Sequence, residues 1–367
     1  MKTTAAVLLL VLPGVAQKSL AGSLEEIIAE YVRKAEAGDA DAMSMLGSCW
    51  EGGRGVPRDA GMAVHWYRRA ADQGHCMSMI KLGSCYMEGT GLDQDREEAV
   101  KWYRRAADQG HSIAMGLMGS CYAKGAGVTQ DQKEAVAWFR KAADKHEMVA
   151  MTELGRCLAE GKGVAKDDKE AVAWFRKAAG MLEVSAMTEL GRCYARGAGV
   201  SQNQNEAVSW FRKAADAGES SAMVEIGGCY AEGRGVPQDM IESVAWLRRA
   251  ANLGDTTAMV RLGSCYAKGD GVHRDQKQAA AWYCMAAEKG SAMAMIELSA
   301  CYTKGTGVLQ DFATAYAWIN LASVEGGIGA LELRAELAKS MTREQIAEGQ
   351  SISRDLLTKL EGTRAKK

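Results

Sequence analysis

The sequence predicts an all-α protein, a right-handed α/α solenoid superhelix of helix-hairpin repeats. Three observations predict it. The stretch from Ala42 to Gly74 recurs every 36 residues, and Trp66, Trp102, Trp138, Trp174, Trp210, Trp246, Trp282 and Trp318 keep that register without an insertion. A fixed period of this length marks stacked supersecondary units that bury their cores against neighbours. Each period also carries two apolar stripes at steps of three and four residues, the spacing of amphipathic helices. Finally, paired glycines separate the two stripes, and the chain has only three prolines.

The chain begins with Lys2 and an apolar run from Ala5 to Leu12, followed by small residues that permit cleavage after Ala16. Residues 1–16 therefore read as a secretory signal peptide. The run is far shorter than the roughly 20 residues a membrane helix needs, and no longer one follows. Residues 17–38 form a capping half-repeat, because Tyr31 and Gly38 fall one period ahead of Tyr67 and Gly74.

Eight full repeats occupy 39–326. In the first, Ala42, Met43, Leu46, Cys49 and Trp50 form the buried stripe of one helix, and Ala63, Trp66, Tyr67 and Ala70 that of a second. Gly53 suits a left-handed helix cap and Gly55 a turn of positive φ. The second helices open on Asp95, Asp131, Asp167, Asn203, Asp239 and Asp275, each with Glu or Gln three residues on. That pairing satisfies backbone N–H groups at a helix start. The outer repeats lack it: Asp59 precedes Met62, and Asp311 precedes Thr314. Residues 327–367 read as C-terminal capping helices and a tail. Thr342 and Gln345 open the last helix, whose apolar stripe is Ile346, Ile352, Leu356 and Leu360.

Composition narrows the function. With 45 basic and 46 acidic side chains the net charge is −1, which provides no global field for nucleic acid. Eight of the ten cysteines (Cys49, Cys85, Cys121, Cys157, Cys193, Cys229, Cys265 and Cys301) share one column. Adjacent helix axes stand about 8–10 Å apart, beyond the Cα separation of about 7 Å that a disulfide spans. No Cys-x-x-Cys or Cys/His pair offers metal-ligand spacing, so the column reads as small buried hydrophobes. The methionine column beginning Met43 and Met79 reads as packing. The glycine loops follow helices and lack the third glycine of a dinucleotide fingerprint, so they are turns. Basic pairs such as Arg68-Arg69 and Arg104-Arg105 make a band along the second helices, which Asp72 and Asp108 are placed to screen.

The motifs LGSCWEGGRGV…D…AVHWYRRAADQG and LGRCYARGAGV…N…AVSWFRKAADAG resemble those of the Sel-one-like repeat (SLR) family. The resemblance covers about 39–326. It implies a tetratricopeptide-type α-solenoid whose first helices line the concave side, and a role as an adaptor or scaffold for protein complexes. The Helicobacter cysteine-rich branch of this family staples its hairpins with disulfides, at positions held here by Ala71 and Met79. That departure weakens the penicillin-binding or β-lactam-hydrolysing activity the branch would imply. One Ser-x-x-Lys, Ser78 to Lys81, stands without the companion motifs of that chemistry. A thiol-based redox or metal-binding role is the other alternative.

Columns 45, 48 and 52 of the repeat change from unit to unit, and they lie opposite the buried stripe of the first helix. The first repeats place Met45, Ser48 and Gly52 there, and the central ones a charged set: Glu153, Arg156, Glu160, Glu189, Arg192, Arg196, Glu225 and Glu232. The sequence thus predicts a non-catalytic, monomeric protein without cofactor or metal. It would bind a protein or peptide in the solenoid groove, with no nucleic-acid partner and no integral membrane segment. The location expected is periplasmic or secreted, or cytoplasmic if the leader does not function.

Overall fold

The computed structural model describes residues 15–364, and among these it holds nineteen α-helices and no strand. Most of the signal-peptide segment, residues 1–14, lies outside the described residues. A leading helix α1 (Val15–Glu36) precedes eight hairpins. The first four are α2 (Ala40–Gly52) with α3 (Ala60–Asp72), α4 (Cys76–Glu88) with α5 (Arg96–Asp108), α6 (Ser112–Lys124) with α7 (Gln132–Asp144), and α8 (Met148–Glu160) with α9 (Asp168–Gly180). The next four are α10 (Val184–Arg196) with α11 (Gln204–Asp216), α12 (Ser220–Glu232) with α13 (Met240–Asn252), α14 (Thr256–Lys268) with α15 (Gln276–Glu288), and α16 (Ala292–Lys304) with α17 (Phe312–Val324). Then come α18 (Ala330–Lys339) and α19 (Arg343–Arg364). The chain divides into two compact bodies, Met1–Met181 and Leu182–Lys367.

The helix boundaries follow from local chemistry. Every first helix of a hairpin ends on a left-handed glycine whose N–H bonds the column cysteine's carbonyl, as Gly53 (φ 65°) does to Cys49. The second helices start on the expected caps: Asp95 accepts the Glu98 N–H at 2.9 Å and Asn203 the Glu206 N–H at 3.1 Å. The outer repeats keep this bond without the partner glutamate, since Asp59 accepts from Met62 and Asp311 from Thr314. The cap needs only the first side chain.

Packing sets the rest. Within each body, a second helix packs on its own first helix and on the first helix of the next hairpin. Inside a hairpin the approach depends on glycine. A Cβ on Gly47 would stand 2.4 Å from the Tyr67 ring, and one on Gly119 would stand 2.5 Å from Phe139. Between hairpins the second loop glycine presses against backbone: a Cβ on Gly127 would lie 2.0 Å from the Arg96 carbonyl oxygen, and one on Gly271 2.1 Å from that of Met240. Thus Gly127 serves a turn of φ 72° and also a hairpin-to-hairpin contact.

Most loops leaving the second helices pass through glycine at positive φ, such as Gly74 and Gly110. His146 (φ 62°) and Leu182 (φ 68°) hold the same conformation with a side chain. Left-handed backbone costs an L-residue roughly 1–2 kcal/mol, so these two loops carry strain that their sister loops avoid.

At the C-terminal end α16, α18 and α19 all pack on α17, which explains why Ala313, Ala315, Tyr316, Ala317, Trp318, Ile319, Leu321 and Ala322 are all buried. The last helix opens with the reciprocal bonds its sequence predicts: Thr342 N–H donates to Gln345 at 2.9 Å, and Gln345 N–H to Thr342 at 3.2 Å. Its contact stripe is finer-grained than expected. Gly349, Ser353 and Leu360 are buried, whereas Ile346, Ile352 and Leu356 are only half-buried. A Cβ on Gly349 would lie 3.0 Å from Tyr316, so small residues let α19 reach α17. The cap covers Leu321, while Met285 on α15 remains 38% exposed.

Candidate functional site: the variable face of the first helices

On each first helix the buried stripe contains the column methionine, leucine and cysteine, for example Met151, Leu154 and Cys157 on α8. That leaves columns 45, 48 and 52 as the other face. Column 45 is exposed at Met45 (46%), Arg261 and Glu297 and half-buried in the other hairpins. Column 48 is half-buried in seven hairpins and buried at Gly228. Ser48 lies 3.2 Å from the Tyr67 hydroxyl and Ser84 lies 3.1 Å from that of Tyr103. Tyr67 also donates to Glu51 at 2.7 Å, and Lys81 of the next hairpin donates to the same carboxylate oxygen at 3.0 Å. Burial raises the Glu51 pKa, but the bonds from Tyr67 and Lys81 outweigh it and leave it below the usual carboxylate range.

The eight charged positions divide between the two bodies. In the first, Arg156 pairs with Glu153 at 2.6 Å, and Glu160 pairs with Lys162. In the second, Arg192 on α10 is held by Glu189 one turn back at 3.1 Å and by Glu225 on α12 at 2.8 Å. Burial works against its charge, yet the bond and field of Glu225 and the field of Glu189 raise its pKa. Glu232 pairs with Arg234 at 2.9 Å, and Arg196 is exposed at the end of α10. The carboxylates of this face are therefore all paired, with arginines or with Lys162.

The opposite side explains the basic band. Rather than pairing with Asp72 or Asp108, its residues bond aromatics. In four pairs the first basic residue reaches forward to a tyrosine hydroxyl on the next hairpin: Arg68 to Tyr86, Arg104 to Tyr122 at 2.7 Å, Arg212 to Tyr230 at 2.9 Å and Arg248 to Tyr266 at 2.9 Å. Where that tyrosine is Leu158, Arg140 turns to Glu170 at 2.8 Å instead. The second member lies over the tryptophan of its own helix, with Arg105 4.4 Å from Trp102 and Lys213 4.0 Å from Trp210. Such cation–π contacts stabilise by about 0.5–1 kcal/mol at exposed sites. An open depression of about 610 Å³ on this side is lined by Arg212, Trp246 and Arg249 together with Asp216 and Glu242, a mixture with no net preference for an anion.

The residues behind the enzymatic and thiol alternatives are placed inside the scaffold. Ser78 is fully buried. Its hydroxyl lies 2.9 Å from His75 Nδ1, and His75 Nε2 lies 3.1 Å from Asp41. The order Ser–His–Asp imitates a hydrolase triad, but Nδ1 also accepts the Ser78 N–H at 3.2 Å, which makes His75 the N-cap of α4. No substrate carbonyl can reach a hydroxyl enclosed in this way. All eight column cysteines are buried, and burial pushes the thiols of Cys121 and Cys157 up to about 11. No group of three or more His, Cys, Asp or Glu suited to a metal occurs among the described residues. No helix among them is long and apolar enough to cross a membrane.

The model of the Sel1 repeat matches eight consecutive segments: 40–75, 76–111, 112–146, 149–181, 184–219, 220–255, 256–291 and 292–323. This chain belongs to the Sel1-repeat family. A protective antigen from uropathogenic Escherichia coli strains, which displays an SLR fold, is similar at 31% identity and a TM-score of 0.69, covering 92% of this chain and 72% of the antigen. A Sel1 repeat protein from Oxalobacter formigenes is also 31% identical, with a TM-score of 0.62 over 86% of this chain and 93% of its own. Yeast Tom70 shares the fold alone, at 14% identity and a TM-score of 0.51 over 83% of this chain and 65% of Tom70. No curated protein matches the sequence. The Sel1-repeat architecture is that of a protein-interaction scaffold.

Proposed function

We propose that this Sel1-repeat protein is a non-catalytic scaffold. Its partner, a protein or peptide, lies along the first-helix face at Glu153, Arg156, Glu160, Glu189, Arg192, Arg196, Glu225 and Glu232. One observation carries the reading. The residues that recur in every repeat are consumed by packing, such as Gly119 beneath Phe139, while the columns that differ stand on the remaining face. In the second body the ion pairs of Arg192 with Glu189 and Glu225 hold these side chains in a defined arrangement before any partner arrives, which lowers the ordering cost of binding.

We further propose that the protein is exported by its N-terminal leader into the envelope or beyond. Mass spectrometry of protein from native cells tests this: a mature chain starting at Gln17 supports export, and an intact leader on all molecules refutes it. For the scaffold, the test is capture of partners by purified protein carrying Glu160→Lys, Arg196→Glu and Glu232→Lys together. These side chains are exposed, so reversal alters the face without opening the core. Loss of a partner that wild-type protein retains supports the assignment, and undiminished capture refutes it.

A further inference from the structure

Along the first-helix face of the second body, the residues that meet across hairpins change from one hairpin to the next. Column 48 of one hairpin faces column 45 of the next, as Arg192 on α10 meets Glu225 on α12 at 2.8 Å. One hairpin later the corresponding pair is Gly228 on α12 and Arg261 on α14. Gly228 is itself buried, and a Cβ on it would lie 3.4 Å from Arg261 Nη1 and 3.6 Å from Arg234 Nη2, so two guanidinium groups converge over the glycine. The nearby carboxylates are committed elsewhere: Glu225 to Arg192, and Glu232 to Arg234 Nε at 2.9 Å. Arg261 is exposed, and among the described residues it has no ion pair or hydrogen bond.

We propose that the Gly228 notch accepts a carboxylate side chain of an acidic peptide segment, held between Arg261 and Arg234. The inference rests on the scaffold reading above and names its partner's chemistry at this point of the face. Guanidinium groups bind carboxylates through short, charge-assisted hydrogen bonds and offer paired donors in a fixed plane. Two of them converging over a glycine present their donors at one point of the face. The partner side chain would supply what Glu225 supplies one hairpin earlier. With a net charge of −1, the protein as a whole does not attract an acidic peptide, so binding would report a local site.

Fluorescence anisotropy of the full chain with a labelled hexaglutamate peptide tests the proposal, with hexaglutamine as control. Gly228→Asp places the protein's own carboxylate in the notch, and Arg261→Ala removes one donor. Gly228→Ala fills little and leaves both arginines. The expected result is hexaglutamate binding that both Gly228→Asp and Arg261→Ala weaken at least about tenfold, while Gly228→Ala stays within about twofold of wild type. Binding no tighter than hexaglutamine, or binding unchanged in both disruptive variants, would overturn it. Capture lost on charge reversal at Glu160, Arg196 and Glu232, without hexaglutamate binding, rejects the notch alone. Hexaglutamate binding at the notch with capture unaffected by those reversals rejects the wider groove.

Discussion

Gly125 and Gly127 share one loop and one left-handed conformation, φ 68° and 72°, yet alanine should be far more harmful at the second. At either position alanine incurs about 1–2 kcal/mol for left-handed backbone. Part of this returns as about 0.4–1 kcal/mol, because alanine restricts the unfolded chain. At Gly125 the new Cβ would press on Gln130, its Cβ at 3.2 Å and its N at 3.4 Å, which need give only a few tenths of an ångström, so the net loss is about 1–2 kcal/mol. At Gly127 it would stand 2.0 Å from the Arg96 carbonyl oxygen and 2.5 Å from its carbon. Backbone cannot rotate away as a side chain can, so the loop must separate from the start of α5. Overpacking adds about 1–3 kcal/mol, and backbone against backbone belongs at the upper end, for a total near 3–4 kcal/mol. Urea denaturation followed by far-ultraviolet circular dichroism measures both variants. Equal losses at Gly125 and Gly127 would refute the account of how hairpins are registered.

The strained loops give the opposite sign: His146→Gly and Leu182→Gly should each stabilise by about 0.5–1 kcal/mol, the left-handed penalty less the entropy glycine regains. Asp131→Ala should cost about 1 kcal/mol and Asp131→Asn much less, since the lost bonds are those from the Lys133 and Glu134 N–H groups and asparagine can still accept them. The thiols set an alkaline limit. Burial holds Cys85, Cys121 and Cys157 at about 11, whereas in the unfolded chain they ionise near 8.5. Between those values the unfolded state binds fewer protons, so stability should fall as pH rises from about 9 to 11. Melting temperatures across that range check it, and a flat profile would contradict it. In native protein at pH 8, Cys76, which is half-buried, should react with a thiol reagent well before the eight column cysteines.

Much of this scaffold was legible because helix chemistry is local. The Gly53 cap, the Asp95 cap and the Thr342–Gln345 box each depend on residues within one turn, and each forms as the sequence implies. Periodicity also reveals which positions are equivalent, and hence which columns vary. It says nothing of what faces what across hairpins. That Arg104 would seek Tyr122 and not Asp108, or that Gly127 would abut Arg96, depends on the stacking offset between neighbouring hairpins. The same offset decides the charge of the candidate face. Counting Glu189, Glu225 and Glu232 along the sequence suggests acidity, whereas the structure pairs all three with Arg192 or Arg234. A signal for Ser48 was present, because the tyrosines of one column, Tyr67, Tyr103 and Tyr283, each coincide with a serine of the other, Ser48, Ser84 and Ser264.

The central claim is that partners engage the variable face of the first helices. A photo-crosslinking residue placed singly at Glu160, Arg196 and Glu232, and for comparison at Arg104 and Arg248 on the second helices, measures it most directly in native cells. The account predicts partner adducts from the first three positions and none from the other two. Adducts confined to Arg104 and Arg248 would contradict it.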